Sequence, residues 1–393
     1  MKGTLERIAI YIGIVLSLVL IYTGLMTLTF SYKSDAFETR TAVAANVVGA
    51  EGEYPTVTYF KGGATLDNST DLLMVGKIMG EEDENALYQG MSIGGYSRYW
   101  HGYLVWLRLL SVFFSLPEIR IILSLLNLSL FIVGLLLIHE KFGFKVSIPF
   151  ALMWFSCFSM VTLGSLQFST VSLLLYAGVI FAIKAYNPEK KLLPYAFFLI
   201  MGSLVNFFDL LTYPLVTLTV PLVLMCLIDI SEERKTKETF LMCIKASALW
   251  CVSYGATWAM KWVLGSIVTH TNVIKNASDT AMYRMLGEEG EAVDRLKVIV
   301  DNFKAPLLYE YIPVICVITV LIALILKKGK QVVTITPLLM LSVYPYIWYE
   351  VFCEHSLMHT FFTYRTQMGS IFAIATVSIV VLTGIKATKK EEQ

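Results

Sequence analysis

The sequence predicts an all-α polytopic membrane protein: about ten transmembrane helices, with a large first outer loop that carries in-plane amphipathic helices. Three observations predict it. Of 393 residues, 56% are hydrophobic and only 16% charged, against about 25% charge in an ordinary soluble domain. The missing charge corresponds to uncharged apolar runs of about 18 residues or more, long enough to cross a bilayer as helices. The remaining lysines and arginines recur in short connections that fall on one side of the membrane. The formal net charge of +1 argues against a nucleic-acid partner; membrane lipids are the expected surroundings.

Taken in order, Lys2 and Arg7 precede an apolar run over about 8–30. It is too long for a secretory h-region and reads as a retained first helix. Residues 31–117 form the first outer loop. It holds an extended piece over 54–60 and an amphipathic helix over 69–80, with Asn68 or Ser69 as N-cap. His101 opens an apolar stretch that runs to Leu116, with Arg108 at its centre and Pro117 as its stop. This stretch reads as a helix in the membrane plane, Arg108 turned to headgroups or into a site; the other reading is the start of a long broken span. Further spans are expected near 119–138, 146–162, 166–185, 193–208, 210–229, 239–265, 306–326, 332–352 and 366–385. Residues 266–305 make a second outer loop, helical from Asp279, and the whole chain is one transmembrane domain.

Orientation follows from charge. With both termini cytoplasmic, the inside segments hold Lys2 and Arg7; Lys141 and Lys145; Lys184, Lys190 and Lys191; Arg234, Lys235 and Lys237; Lys327, Lys328 and Lys330; and Lys386, Lys389 and Lys390. The outer turns near 163–165 and 209 carry no Lys or Arg, as the positive-inside rule requires. A multi-pass protein of the cell membrane is expected, with its active face extracellular. Cys157, Cys226, Cys243, Cys251, Cys316 and Cys353 form no CxxC pair and read as small buried hydrophobes. No Walker A, GxGxxG or HExxH pattern and no internal repeat is visible, which argues against an ATP-driven pump and weakens a duplicated transporter fold.

Ionisable residues at membrane depth are costly and by default functional. Under this topology they gather outside: Asp67, Asp71, Arg98 and His101 in the first loop, Asp209 in a hairpin turn, Lys261 near the end of a span, and Glu350, Glu354, His355, His359 and Arg365 in the last outer connection. Opposite charges converging on one leaflet describe an anion-handling site. Each has a bland alternative. Asp67 and Asp71 serve a helix start, Asp209 a turn and Arg365 an interfacial anchor. His355 and His359, four apart, would face one metal if helical. No third ligand has a readable spacing, so contact with phosphate or sugar is preferred; no cofactor is expected, a divalent metal being the disfavoured option. The aromatics Tyr96, Tyr99, Trp100, Phe361, Phe362 and Tyr364 make an interfacial belt or stack on sugars.

Three stretches carry a resemblance: Tyr96-Ser-Arg-Tyr-Trp-His-Gly-Tyr103, Asn206-Phe-Phe-Asp-Leu-Leu-Thr-Tyr-Pro214 and His355-Ser-Leu-Met-His-Thr-Phe-Phe-Thr-Tyr-Arg365. With the acidic first loop, the in-plane helix and about ten spans, the chain resembles the GT-C type of integral-membrane glycosyltransferases. More narrowly, it resembles a group of bacterial polytopic membrane proteins within or near that clan. The likeness covers most of the chain. It implies a GT-C-like fold and transfer of a sugar from a polyprenyl-phosphate donor to a cell-envelope glycan or lipid acceptor at the outer face. It also implies an acidic first-loop residue as base, Asp67 or Asp71. Arg365, with Arg98 or Lys261, would hold the phosphate. His355 or His359 would orient phosphate or acceptor, with His101 and Asp209 among the substrate contacts. The chain departs from the best-known members in having no adjacent Asp-Asp or Asp-Glu pair at Asp67 or Asp71, which leaves the base and any metal dependence open, and in having no large soluble C-terminal domain. The rival readings are a transporter or flippase for a lipid-linked or anionic solute and a non-catalytic partner in envelope assembly. The first would place charge at mid-span, where Lys245 is the best case and snorkelling accounts for it.

Overall fold

The structure, a computed structural model, describes residues 2–57, 64–81, 84–190, 192–288, 292–326 and 329–385. Part of the extended piece expected over 54–60, together with Lys191, Lys327, Lys328 and the tail lysines, lies outside these residues. Within them the fold is all-helical, and the only strand-like pairing is an isolated bridge between Thr56 and Thr65.

The first third of the chain forms a long helix and a collar. Helix α1 is Lys2–Ser31; α2 is Ala36–Glu51, α3 Asn68–Gly76, α4 Ala86–Ser92 and α5 Leu104–Phe113. Helix α2 lies inside what read as polar loop. Only Phe37, Ala44 and Val48 are buried along it, a stripe too thin to register as an apolar run. The N-cap of α3 is Asp67, whose carboxylate accepts from the Thr70 backbone N–H at 2.9 Å and the Thr70 hydroxyl at 2.8 Å; the expected caps, Asn68 and Ser69, are already helical. Arg108 on α5 goes neither to headgroups nor into a site. It donates to the carbonyls of Ile78 and Tyr32 and lies over Phe30 and Phe37, tying α5 to the collar.

The bundle follows: α6 Leu116–Phe142, α7 Phe144–Ser156, α8 Leu166–Lys184, α9 Leu192–Phe208, α10 Val216–Ser231 and α11 Thr236–Thr269. Pro117 ends α5 by starting α6, where Ser115 and Glu118 close a capping box. The second polar segment holds two helices, α12 Val273–Leu286 and α13 Arg295–Lys304, the first beginning six residues before Asp279. The chain ends with α14 Tyr311–Ile325, α15 Gly329–Thr334, α16 Thr336–Val351, α17 Cys353–Met358, α18 Thr360–Thr363, a 3₁₀ turn Tyr364–Gln367, and α19 Met368–Thr383.

Among the described residues, five helical stretches are long and apolar enough to cross a membrane: Leu5–Ser31, Leu116–Phe142, Leu166–Lys184, Thr236–Thr269 and Thr360–Thr383. Their burial inside the protein is incomplete, and α1, α6 and α14 expose rows of Leu, Ile and Val, the surface expected against lipid.

Two packing details position the site. Helices α9 and α11 cross with backbones nearly touching at Gly202, where a Cβ would lie 2.2 Å from the Trp250 carbonyl oxygen; only a small residue permits that approach. Gly102 lets the 96–103 turn rest on the end of α9: its N–H donates to the Phe207 carbonyl at 2.8 Å, and a Cβ there would lie 2.5 Å from the Phe207 ring. Tyr22 stacks on Phe207 at 4.1 Å and meets Trp100 edge-on, locking α1 to the same corner.

Candidate functional site

The sequence-selected residues all lie at one end of the bundle, where α6, α8, α10 and α19 begin and α1, α7, α9, α11 and α16 end. They divide into two groups by place: Asp71, Lys261 and His101 in the frame, and the residues that gather around Arg284 and Arg365.

Asp71 is used by the protein itself. Its carboxylate accepts from the N–H groups of Leu166 at 3.1 Å and Gln167 at 3.0 Å and from the Ser165 hydroxyl at 3.2 Å, with Arg120 at 3.4 Å. It caps the first turn of α8 from a distant part of the chain, a position the helix dipole favours. Burial raises its pKa, against Arg120 and the α8 donors. Lys261 is used too. Its fully buried ammonium donates to the carbonyl of Met91 at 2.8 Å and of Gly90 at 3.4 Å, neutralising the C-terminal end of α4. His101 is knotted into its own turn. Burial pushes its pKa well below the usual histidine value, so the ring is neutral. Nε2–H then donates to the Tyr96 carbonyl at 3.1 Å, and Nδ1 accepts from the Tyr103 hydroxyl at 2.9 Å.

The second group packs into one buried cluster; the cavity of about 510 Å³ at this end is lined instead by Glu51, Asn68, Asp71, Arg120 and Ser165. His355 on α17 is buried, and burial, with Arg284 beside it, holds its pKa well below the usual value. The neutral ring donates Nε2–H to the Leu211 carbonyl at 2.7 Å and accepts at Nδ1 from Arg284 at 3.3 Å. Leu211 has φ +67°, a left-handed conformation rare for a branched residue and characteristic of constrained functional turns. That turn is drawn tight by Asp209, which accepts from the Thr212 N–H at 2.9 Å and from its hydroxyl. Burial pushes Asp209 up to about 7, against these donors.

Tyr99 forms the opposite side. Arg98 lies over Tyr96 at 4.1 Å and over Tyr99 at 5.9 Å, and Arg284 reaches the other side of Tyr99 at 5.7 Å. The Tyr99 hydroxyl is buried without a partner, and burial pushes it up to about 12. Its ionisation feels Asp209 as well as both arginines.

The cluster continues to Arg365. His359 stacks on Phe362, Phe362 meets Phe168, and the Arg365 guanidinium lies 5.1 Å over Phe168 and 4.9 Å over Tyr364. Tyr213 stands between Asp209 and Arg365 and feels both charges. Arg365 is 0% exposed and makes one hydrogen bond, to the Phe361 carbonyl at 3.2 Å; its Nε and second Nη have no partner. Among the described residues no carboxylate lies in ion-pair range of it. The Arg98 Nε and His359 Nδ1 are also buried and unpartnered. His359 feels Asp67, and the first loop meets this cluster at Tyr54, whose ring lies edge-on to Phe361 at 5.7 Å.

The structure thus brings Arg98, Asp209, His355, His359 and Arg365 together, with Asp67 at the edge; Asp71, His101 and Lys261 stand in the frame around them. The two histidines do not offer two free ring nitrogens, because both nitrogens of His355 are engaged. Among the described residues no group of three or more His, Cys, Asp or Glu is arranged to hold a metal. Sequence reasoning missed Arg284. A signal existed: it lies seven residues after Ala277 and eleven after Val273, the two buried residues of α12, so it shares their inward face.

Fold and site define a helical protein with membrane-length apolar helices and a cluster of arginines and aromatics packed together at one end. Comparison of the chain with protein-family models, curated proteins and solved structures finds no match.

Proposed function

We propose that this protein is a membrane glycosyltransferase that takes a sugar from a polyprenyl-phosphate donor and passes it to a cell-envelope glycan or lipid acceptor. The observation that carries the reading is Arg365, a fully buried guanidinium with two unpartnered donors and no counter-charge. An unpaired buried ion costs several kcal/mol, and a bound phosphate offsets that cost with the bidentate geometry arginine favours. Arg98 and Arg284, on the two sides of Tyr99, supply further positive charge, and the aromatic faces suit a sugar ring.

In this reading α1, α6 to α11, α14, α16 and α19 are the ten spans of a GT-C-like fold. Both termini face the cytoplasm, and the cluster faces outward. Charge supports the orientation: Lys141, Lys145, Lys184, Lys190, Arg234, Lys235 and Lys237 all lie at the end opposite the cluster.

The reaction places few demands on the protein. The acceptor hydroxyl attacks the anomeric carbon, a glycosidic C–O bond forms, and the bond from that carbon to the phosphate oxygen breaks. The electron pair leaves with the phosphate, where the arginines stabilise it, and the hydroxyl proton passes to a carboxylate. Asp71 is occupied as a helix cap. Asp209 is the better base: its pKa near 7 suits proton uptake at neutral pH, and it shares Tyr99 with the arginines. Asp67 is the first-loop alternative, linked to the cluster through His359.

The test is transfer by the purified chain in proteoliposomes, with a polyprenyl-phosphate sugar as donor and detection of the glycosidic product. Asp209→Asn and Arg365→Met are expected to abolish product, and Asp71→Asn to leave it. If Asp67→Asn abolishes product while Asp209→Asn does not, the base is Asp67. Movement of intact lipid-linked sugar across the bilayer with no product would sink the enzyme reading in favour of a flippase.

A further inference from the structure

At the end of the bundle opposite the arginine cluster, a cleft of about 250 Å³ opens between α9 and the first turns of α11. Tyr186, Tyr195, Arg234, Glu238, Leu241 and Lys245 line it. The charge beneath it is already balanced: buried Asp229 accepts from the hydroxyls of Tyr186 and Thr239, each at 2.8 Å, with Arg234 at 3.9 Å. Arg234 is held in place by the Pro188 carbonyl at 3.0 Å and by Glu238 at 3.2 Å. Lys245 is different. It is exposed and has no hydrogen-bond or ion-pair partner among the described residues.

Its position on the helix matters. Leu241 and Met242 lie three and four residues after Glu238 and four and three before Lys245, so the four share one face of α11. Lys245 lies nine residues after the start of α11 at Thr236, about 13 Å along the axis. At that depth an ammonium on an apolar helix needs water or an anion. Beside it Leu241 and Ile244 expose apolar surface, while the connections that border the cleft balance Lys190 and Lys235 with Glu189, Glu232 and Glu233. The unpaired Lys245 ammonium, between an aromatic wall and an apolar track, matches an amphiphile with an anionic head. A free phosphate would gain the cations but nothing from the track.

We propose that this cleft binds the headgroup of an anionic phospholipid, with its phosphate between Arg234 and Lys245 and an acyl chain along Leu241 and Ile244. The site is separate from the arginine cluster and does not depend on any transfer reaction.

Native mass spectrometry of the full chain, purified in detergent and supplied in turn with phosphatidylglycerol, phosphatidylcholine and glycerol 3-phosphate, tests this. Phosphatidylglycerol should be retained and the other two lost. Lys245→Gln should weaken retention about fivefold, the worth of one basic contact at a lipid surface, and Lys245→Glu should abolish it. Lys184→Gln, which alters an exposed lysine of the same end paired with Glu140, should leave it intact. Thermal unfolding checks that the Lys245 variants fold, as substitution of an exposed side chain should allow. Equal retention of the two lipids, unchanged retention by folded Lys245 variants, or glycerol 3-phosphate binding as tightly as phosphatidylglycerol would each overturn the proposal.

Discussion

Lys261 and Arg365 are both fully buried cations at the same end of the bundle. Each lies over an aromatic ring, Trp100 for Lys261 and Phe168 for Arg365. Their hydrogen-bond accounts are opposite. Lys261 spends its charge on the carbonyl end of α4, whereas Arg365 leaves two donors unused. The contrast does not extend to the carboxylates: Asp71 is surrounded by the donors of α8, and Asp209 by the Thr212 hydroxyl and the N–H groups of Leu210, Leu211 and Thr212, though burial pushes Asp209 up to about 7. Burial of charge therefore does not distinguish a site from a strut in this protein. The partners left missing do.

The contrast can be broken in order of expected effect. Arg365→Met should lower transfer about 100-fold or more, as loss of a transition-state cation does, while leaving the melting temperature unchanged or higher, because an unpaired buried charge is removed. If unfolding shifts downward instead, Arg365 is a strut and the comparison fails. Lys261→Met and Asp71→Ala should show the reverse: a loss of about 1–3 kcal/mol of stability from orphaned backbone groups, with transfer per folded molecule retained.

The pH dependence follows in size. The folded chain keeps a proton on Asp209 up to about pH 7, whereas an ordinary carboxyl releases it near 3.8. Transfer should therefore rise with pH through about 7. The stability Asp209 contributes is fully present below about pH 4 and is lost as pH rises through about 7, so Asp209→Asn, neutral at every pH, should gain in melting temperature relative to the protein across that window. A flat difference would show that burial does not hold the proton. The smallest effect is expected for Arg98→Lys, which keeps charge but loses the planar fork: a rise in KM of about tenfold or less. An unchanged KM would leave Arg98 outside the site.

Much of this was legible in sequence, and the part that was not has a physical reason. Long apolar runs mark α1, α6, α8 and α11 directly, and the convergence of Arg98, Asp209, His355, His359 and Arg365 follows from placing their loops on one side. What sequence cannot supply is the partner of each charge. Lys261 meets Met91, 170 residues away, and Asp71 meets Leu166, 95 residues away; only the packed bundle brings them together. Helix α2 was hidden because three buried residues in sixteen give no apolar run. Arg284 lay in plain view on the inward face of α12, but a polar segment draws attention to its charges rather than to its periodicity.

The length of α11 has a consequence for reach. Its 34 residues make a rod of about 51 Å, whereas about 20 residues suffice for the hydrocarbon layer. Roughly 14 residues must therefore stand in the headgroup zone or beyond. Trp258 and Trp262, both hydrogen-bonded to the Arg98 carbonyl, belong to that projecting part. On the proposed reading, the rod would hold this end of the bundle at the height where a lipid carries its phosphate. A lipid-linked molecule could present its headgroup there while its tail stays in the leaflet, moving sideways rather than out of the membrane.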